Sequence, residues 1–253
     1  MNTAKRVAIV TGGSRGIGRA IALKLACDGL YVVVNYASQT DAADGVVRHI
    51  NQAGGRAIAV NADVSDADAA RALVEASMQA YGRIDVLVNN AAVALAGKRI
   101  AETSAQEWQR ILHVNLDGPF HLCQAVLPHM RARKQGHIVN ISSNVTARLP
   151  AMMGAYTVSK CALNALTTIL AKEEGVHGVH INAIAPGPIM TDMLAESLRI
   201  MGKERADAFL QSVPLGRAGQ PEEIAAMVAV LVSEAASYMT GQIVYVNGGG
   251  PSG

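Results

Sequence analysis

Aromatic residues are scarce in this chain. Only 4% of its 253 residues are aromatic, with one Trp and two Phe, although half of the residues are hydrophobic. The core must therefore be built from Ala, Val, Ile and Leu, the composition of parallel sheets buried on both faces. Cysteine is scarce as well. Cys27, Cys123 and Cys161 stand far apart and make no C-x-x-C pair or metal-ligand spacing, so free buried thiols are expected instead. Net charge is nearly absent. The 22 basic and 20 acidic residues leave +2, with no long run of either sign, which argues against nucleic acid or an anionic membrane as a partner. No apolar run reaches the ~20 residues of a membrane span. A strand-like run begins within six residues of Met1, leaving no room for a signal peptide. A soluble protein in a reducing, cytoplasmic setting is expected.

What is present is a rhythm. Short apolar runs recur at Val7–Val10, Tyr31–Asn35, Arg56–Val60, Ile84–Val88, His137–Ile141, Val179–Ile184 and Gln242–Val246, with helical spacing between them. Glycines at Gly29, Gly54, Gly82 and Gly136 follow the helical segments, as helix stop signals do. This alternation predicts an α/β fold: a single domain over 1–253, doubly wound and Rossmann-type, with a seven-stranded parallel sheet flanked by helices. Right-handed crossovers place the C-terminal ends of all strands on one edge, where ligands of open α/β sheets bind. The stretch 187–220 breaks the rhythm. It exceeds a normal connection and carries a helical pattern over Met193–Phe209, so it reads as a substrate lid or as a packed helical hairpin.

Thr11-Gly12-Gly13-Ser14-Arg15-Gly16-Ile17-Gly18 follows the first strand and opens a helix. A strand, a glycine turn and a helix start make a phosphate-binding device. The turn is tight, the backbone can approach a ligand, and the helix start offers unpaired N–H groups. The glycine spacing is G-x-x-x-G-x-G rather than G-x-G-x-x-G, and a turn without a ligand is the competing reading. After the fifth strand come Ser142-Ser143, with Tyr156 thirteen residues beyond Ser143 and Lys160 four beyond Tyr156. The segment 154–172 reads as a helix, so Tyr156 and Lys160 share a face. An ammonium beside a phenol favours phenolate, so the tyrosine pKa is expected to fall from about 10 toward neutrality. Such a tyrosine exchanges a proton with a substrate oxygen that Ser143 can hold. Taken alone, the Tyr-x-x-x-Lys pair also fits an ordinary surface helix.

Taken together, these motifs resemble the short-chain dehydrogenase/reductase family from end to end, with 3-oxoacyl-carrier-protein reductases as the nearest general likeness. Thr11–Gly18 matches the family's T-G-x-x-x-G-x-G. Asp63-Val64 matches its adenine-contacting pair, and Asn89-Asn90-Ala91-Ala92 its N-N-A-G, with Ala92 in place of glycine. Asn115, Ser143, Tyr156 and Lys160 match its catalytic tetrad, and Pro186-Gly187 with Thr191 its nicotinamide-side segment. The resemblance implies Tyr156 as general acid in ketone reduction and Ser143 as the holder of the carbonyl. It implies Lys160 as the group tuning Tyr156 and binding the ribose, and Asn115 as support for a water-linked relay. The implied cofactor contacts are Gly12, Ser14, Arg15, Gly16, Ile17, Gly18, Asn35, Tyr36, Ala37, Ser38, Asp63, Val64, Asn90, Ala91, Ala92, Tyr156, Lys160, Pro186, Gly187, Ile189 and Thr191. A homotetramer is implied, and the small residues Ala155, Cys161, Ala162 and Ala165 would suit close helix packing.

No carboxylate follows the second strand, where Asn35-Tyr36-Ala37-Ser38 stand, and Arg15 lies in the glycine turn. The expected cofactor is NADP(H), with NAD less favoured. The expected substrate is a small-molecule carbonyl or secondary alcohol, a ketone or 3-oxoacyl type; an NAD-dependent sugar or polyol dehydrogenase and a non-catalytic dinucleotide sensor are the alternatives. Expected pocket residues are Val93, Ala94, Leu95, Asn144, Val145, Arg148, Met152, Met153, Gly187 and Met190, mostly apolar. Arg131, Arg133 and Lys134 could meet an acidic carrier, although His177 stands where the family has an arginine. His113, His121, His129 and His137 recur every eight residues without a carboxylate, which fits packing rather than metal binding. Ser65 and Asp66 fit helix N-capping, Trp108 an anchor in the core or an interface, and the tail from Gly248 to Gly253 a loose end.

Overall fold

The computed structural model describes residues 5–94 and 96–250. Seven strands, β1 (Val7–Val10), β2 (Tyr31–Tyr36), β3 (Arg56–Asn61), β4 (Val86–Asn89), β5 (Gly136–Ile141), β6 (Val179–Pro186) and β7 (Ile243–Val246), form one sheet in the order β3-β2-β1-β4-β5-β6-β7. Every pairing is parallel. The strand order reverses between β1 and β4, and this switch point opens a crevice at the strands' C-terminal ends.

Among the described residues, ten α-helices connect the strands: α1 (Gly16–Cys27), α2 (Thr40–Gln52), α3 (Ala67–Tyr81), α4 (Ala105–Leu112), α5 (Gly118–Arg133), the single turn α6 (Val145–Arg148), α7 (Gly154–Glu174), α8 (Asp192–Met201), α9 (Lys203–Gln211) and α10 (Pro221–Leu231). Alternate strand residues explain the two helical layers. Ala8, Val10, Val32, Val34, Val86 and Val88 pack with Ile21 and Leu25 of α1, Val46 of α2 and Val228 of α10. Val7, Ile9, Val33 and Leu87 face the other way, against Leu73 of α3 and Leu122 and Val126 of α5. Each face of the sheet is buried, as the aliphatic composition requires.

Local deviations have local causes. The stop after α5 is Lys134, left-handed at φ 50°, and not Gly136, which lies in β5 where a Cβ would stand 2.4 Å from the Met130 sulfur. Asp66, and not Ser65, caps α3, accepting from the Ala69 N–H at 2.8 Å; Ser65 bonds the Asp63 carboxylate instead. The 187–220 stretch holds two helices broken at Gly202, whose φ is +78°, in place of one pattern over Met193–Phe209. Between α4 and α5 the chain passes through a π-helical turn, His113–Asp117. Among the described residues, no helix is long and apolar enough to cross a membrane, and no group of His, Cys, Asp or Glu could hold a metal ion.

Candidate active site

The glycine turn is clamped to the end of β4. Thr11 Oγ1 accepts the N–H groups of Asn90 (2.9 Å) and Ala91 (3.0 Å). Asn90 Nδ2 donates to the carbonyls of Thr11 (2.9 Å) and Gly12 (3.2 Å). A Cβ on Gly18 would lie 2.2 Å from the Gly12 oxygen, so α1 meets the turn only because Gly18 has no side chain. Gly12 and Gly16 hold φ values of +59° and +53°, which glycine tolerates. Arg15 stands at the N-cap of α1 with an exposed side chain that makes no cap bond.

A crevice of about 1010 Å³ runs from this turn across the strand ends to α7. Every cofactor contact expected from sequence lines it, from Gly12 to Thr191. Not all do so through their side chains. Asn35 is buried, and its amide staples β2 to β3 through the Val60 (3.3 Å) and Ala62 (3.0 Å) carbonyls. Tyr36, Ala37 and Ser38 are the more open groups at the end of β2.

Helix α7 brings Tyr156 and Lys160 to the crevice floor. Lys160 is 2% exposed, donates to the Ile141 carbonyl at the end of β5 at 2.7 Å, and sits 5.8 Å from the centre of the Tyr156 ring. Burial pushes Lys160 down to about 8. Burial also pushes the Tyr156 phenol above its usual value, and a hydrogen bond with Ser143 opposes that rise. The expected fall in the tyrosine pKa is therefore not found. The ammonium lies over the ring and bonds the strand carbonyl rather than the phenol, and enclosure of the phenol dominates. Ser143 is 9% exposed and its Oγ accepts the Val145 N–H at 3.3 Å.

Asn115 stands apart from the other three. It is fully buried in the π-helical turn and does not line the crevice. Its Oδ1 accepts the Val93 N–H, and its Nδ2 donates to the Val93 carbonyl, each at 2.9 Å, and to Ser159 Oγ at 3.0 Å. Its side chain thus holds the loop after β4 to α7.

The expected substrate residues divide. Val93, Ala94, Val145, Met153 and Gly187 line the crevice. Asn144, Arg148 and Met152 do not; Met152 is left-handed at φ 63° and 47% exposed. Met190 lines a second cavity of about 360 Å³ behind the glycine turn, beside Arg15 and Arg19. Leu95 lies outside the described residues. Arg131 is paired with Glu174, and Arg133 with Asp85 at 3.0 Å; neither these nor Lys134 line the crevice, so they do not form its entrance. Of the small residues on α7, Ala155 is buried within its own chain, whereas Ala165 is exposed. His137 stacks on His180 with centroids 5.3 Å apart, and burial holds it down at about 4.

Sequence reasoning missed the polar stripe Gln106, Gln109, Arg110 and His113, which lines the crevice from α4 and its extension. Its spacing of three, four and seven residues marks one helical face and was the available signal. Leu194 and Ser197 of α8 were missed too; they show that the inserted hairpin reaches the crevice.

A family model described as enoyl-(acyl carrier protein) reductase matches residues 12–250. A 3-oxoacyl-[acyl-carrier-protein] reductase of Synechocystis is 43% identical over 250 residues, covering 96% of each chain. Glucose 1-dehydrogenase 2 of Bacillus subtilis is 38% identical, covering 96% of this chain and 94% of its own. Among solved structures, levodione reductase superposes with a TM-score of 0.91 at 34% identity, covering 96% of each chain. The chain belongs to the short-chain dehydrogenase/reductase family. It is an oxidoreductase of that type, a class that works on carbonyl and CH–OH groups with a nicotinamide dinucleotide.

Proposed function

We propose that this chain is an NADP(H)-dependent carbonyl reductase or secondary alcohol dehydrogenase, with Tyr156 as proton donor in reduction and base in reverse. The observation that carries the reading is the Ser143–Tyr156–Lys160 grouping on the floor of the crevice. The residues fit a dinucleotide. The crevice has the volume and the glycine cradle for it, and Ser142 Oγ is a buried hydroxyl with no partner on its floor. When bound, the nicotinamide supplies hydride exchange with the substrate carbon. Ser143 holds the carbonyl oxygen, the Tyr156 phenol gives it a proton, and Lys160 supplies positive charge over the face of the phenol ring. Asn115 holds the loop that bears Val93.

Preference for NADP(H) rests on Arg15, exposed at the crevice, and on Tyr36, Ala37 and Ser38, which put no carboxylate against a 2′-phosphate. Turnover with NADPH against NADH tests it. Arg15→Ala is expected to weaken NADPH binding and spare NADH, and unchanged NADPH affinity overturns the assignment. The wall of Val93, Ala94, Val145, Met153 and Leu194 favours a substrate with an apolar body, such as a ketone or a 3-oxoacyl compound. The likeness to a glucose 1-dehydrogenase keeps an NAD-dependent sugar oxidation as the second reading, and the same cofactor comparison tests it.

The hairpin of α8 and α9 serves as the substrate lid in this reading, since Leu194 and Ser197 border the crevice. A homotetramer is part of the same reading, supported by Phe120, Val158 and Ile169, which are 45%, 42% and 53% exposed on α5 and α7. So is a cytoplasmic setting, in keeping with three free cysteines.

A further inference from the structure

We infer that Ser159 is a positioning residue for Tyr156, acting through Asn115 to fix the tyrosine's helical turn to the loop that follows β4. The inference rests on the reading of Tyr156 as the proton donor.

Ser159 is fully buried, one residue before Lys160. Its hydroxyl lies 2.7 Å from the Tyr156 carbonyl and 3.0 Å from Asn115 Nδ2. An amide nitrogen can only donate, so the hydroxyl accepts from Asn115 and gives its single proton to the Tyr156 carbonyl. Asn115 in turn grips Val93 through both the N–H and the carbonyl at 2.9 Å. The bonds therefore run in one direction, from the Val93 N–H to Asn115, from Asn115 to Ser159, and from Ser159 to Tyr156. A directed chain of this kind in a low-dielectric site strengthens its members.

The chain joins three elements through side chains. Val93 belongs to the loop whose Asn90, Ala91 and Ala92 line the crevice, Asn115 to the π-helical turn, and Tyr156 to the first turn of α7. A serine or threonine hydroxyl that merely bonds back along its own helix does nothing of the sort. Thr168 on α7 is such a case, donating to the Asn164 carbonyl at 3.1 Å. Alanine at 159 leaves an Asn115 N–H without its acceptor in a buried site. The turn that bears Tyr156 is then free to shift against the loop, and small displacements of a reacting group are costly in rate.

The test compares Ser159→Ala, Asn115→Ala, the double variant and Thr168→Val by steady-state kinetics and by hydrogen exchange at the Val93 amide. Ser159→Ala is expected to lower kcat about tenfold with little change in cofactor KM. The double variant is expected to be no slower than Asn115→Ala alone, because both side chains act through one connection. Exchange at the Val93 amide is expected to speed up in Ser159→Ala and to stay unchanged in Thr168→Val. Losses that multiply in the double variant, or Val93 exchange that ignores Ser159, overturn the inference. If Tyr156→Phe turns over as fast as the wild type, the proton-donor reading fails separately. The exchange measurement then still decides whether Ser159 ties the two elements together.

Discussion

The Lys160 ammonium is held by the Ile141 carbonyl at 2.7 Å, at the end of the strand that leads into Ser143. Helix α7 and strand β5 are thereby joined at the floor of the crevice. Burial at this place takes the Lys160 charge out of water, and that has a measurable consequence.

Lys160 is depressed to about 8 from 10.5. Below pH 8 the folded and unfolded chains both carry the proton, and the buried charge costs stability. Between about 8 and 10.5 the unfolded chain binds more protons, so stability rises with pH. Tyr156, displaced upward, acts with the opposite sign and only above its usual value of 10. Thermal unfolding of the wild type and Lys160→Met across this range is expected to show the wild-type Tm rising relative to the variant. Parallel curves would contradict the buried-charge account.

Gly18→Ala places a Cβ 2.2 Å from the Gly12 oxygen and 2.5 Å from Asn90 Nδ2. It is expected to destabilise the chain by about 1–3 kcal/mol and to weaken dinucleotide binding through the displaced turn. Gly45 in α2 meets only the Arg48 side chain, at 3.9 Å. Gly45→Ala is therefore expected to stabilise by about 0.5–1 kcal/mol. Chemical denaturation of both variants checks the contrast, and equal effects would contradict the close approach.

Asp85 is 2% exposed and accepts from the Val7 N–H at 2.8 Å, from Arg83 Nε at 2.7 Å and from Arg133 at 3.0 Å. Burial pushes its pKa up, but the bonds from Arg83 and Val7 outweigh it, so the net shift is downward. The stability it contributes is complete above the usual carboxylate value near 4 and is lost as pH falls through the lower, folded value. Asp85→Ala, which leaves guanidinium groups without their partner, is expected to cost about 3–5 kcal/mol. Urea unfolding at neutral pH measures this, and a change within error would show that the cluster is dispensable.

Much of this was legible in the residues. Strand runs such as Val7–Val10 matched because fully buried parallel strands are continuously aliphatic, a signal that needs no partner to be read. The glycine turn and the Tyr156–Lys160 spacing were legible because they encode local geometry. What was not legible depends on approach in three dimensions. Gly136 looked like a helix stop, but its reason is the Met130 side chain packed against it. Asn115 stood out only through the family resemblance, and its grip on Val93 and Ser159 arises from a π-helical turn that has no sequence period. The direction of the Tyr156 shift depends on enclosure and on where the ammonium points, neither of which a four-residue spacing fixes.

The most direct measurement is oxidation of NADPH by the wild type and by Tyr156→Phe over a panel of ketones, with NADPH binding to each protein measured alongside. The account predicts turnover of at least one ketone by the wild type, and a loss of about a hundredfold or more in the variant with NADPH affinity retained. A variant that reduces the same ketone at the wild-type rate would contradict it.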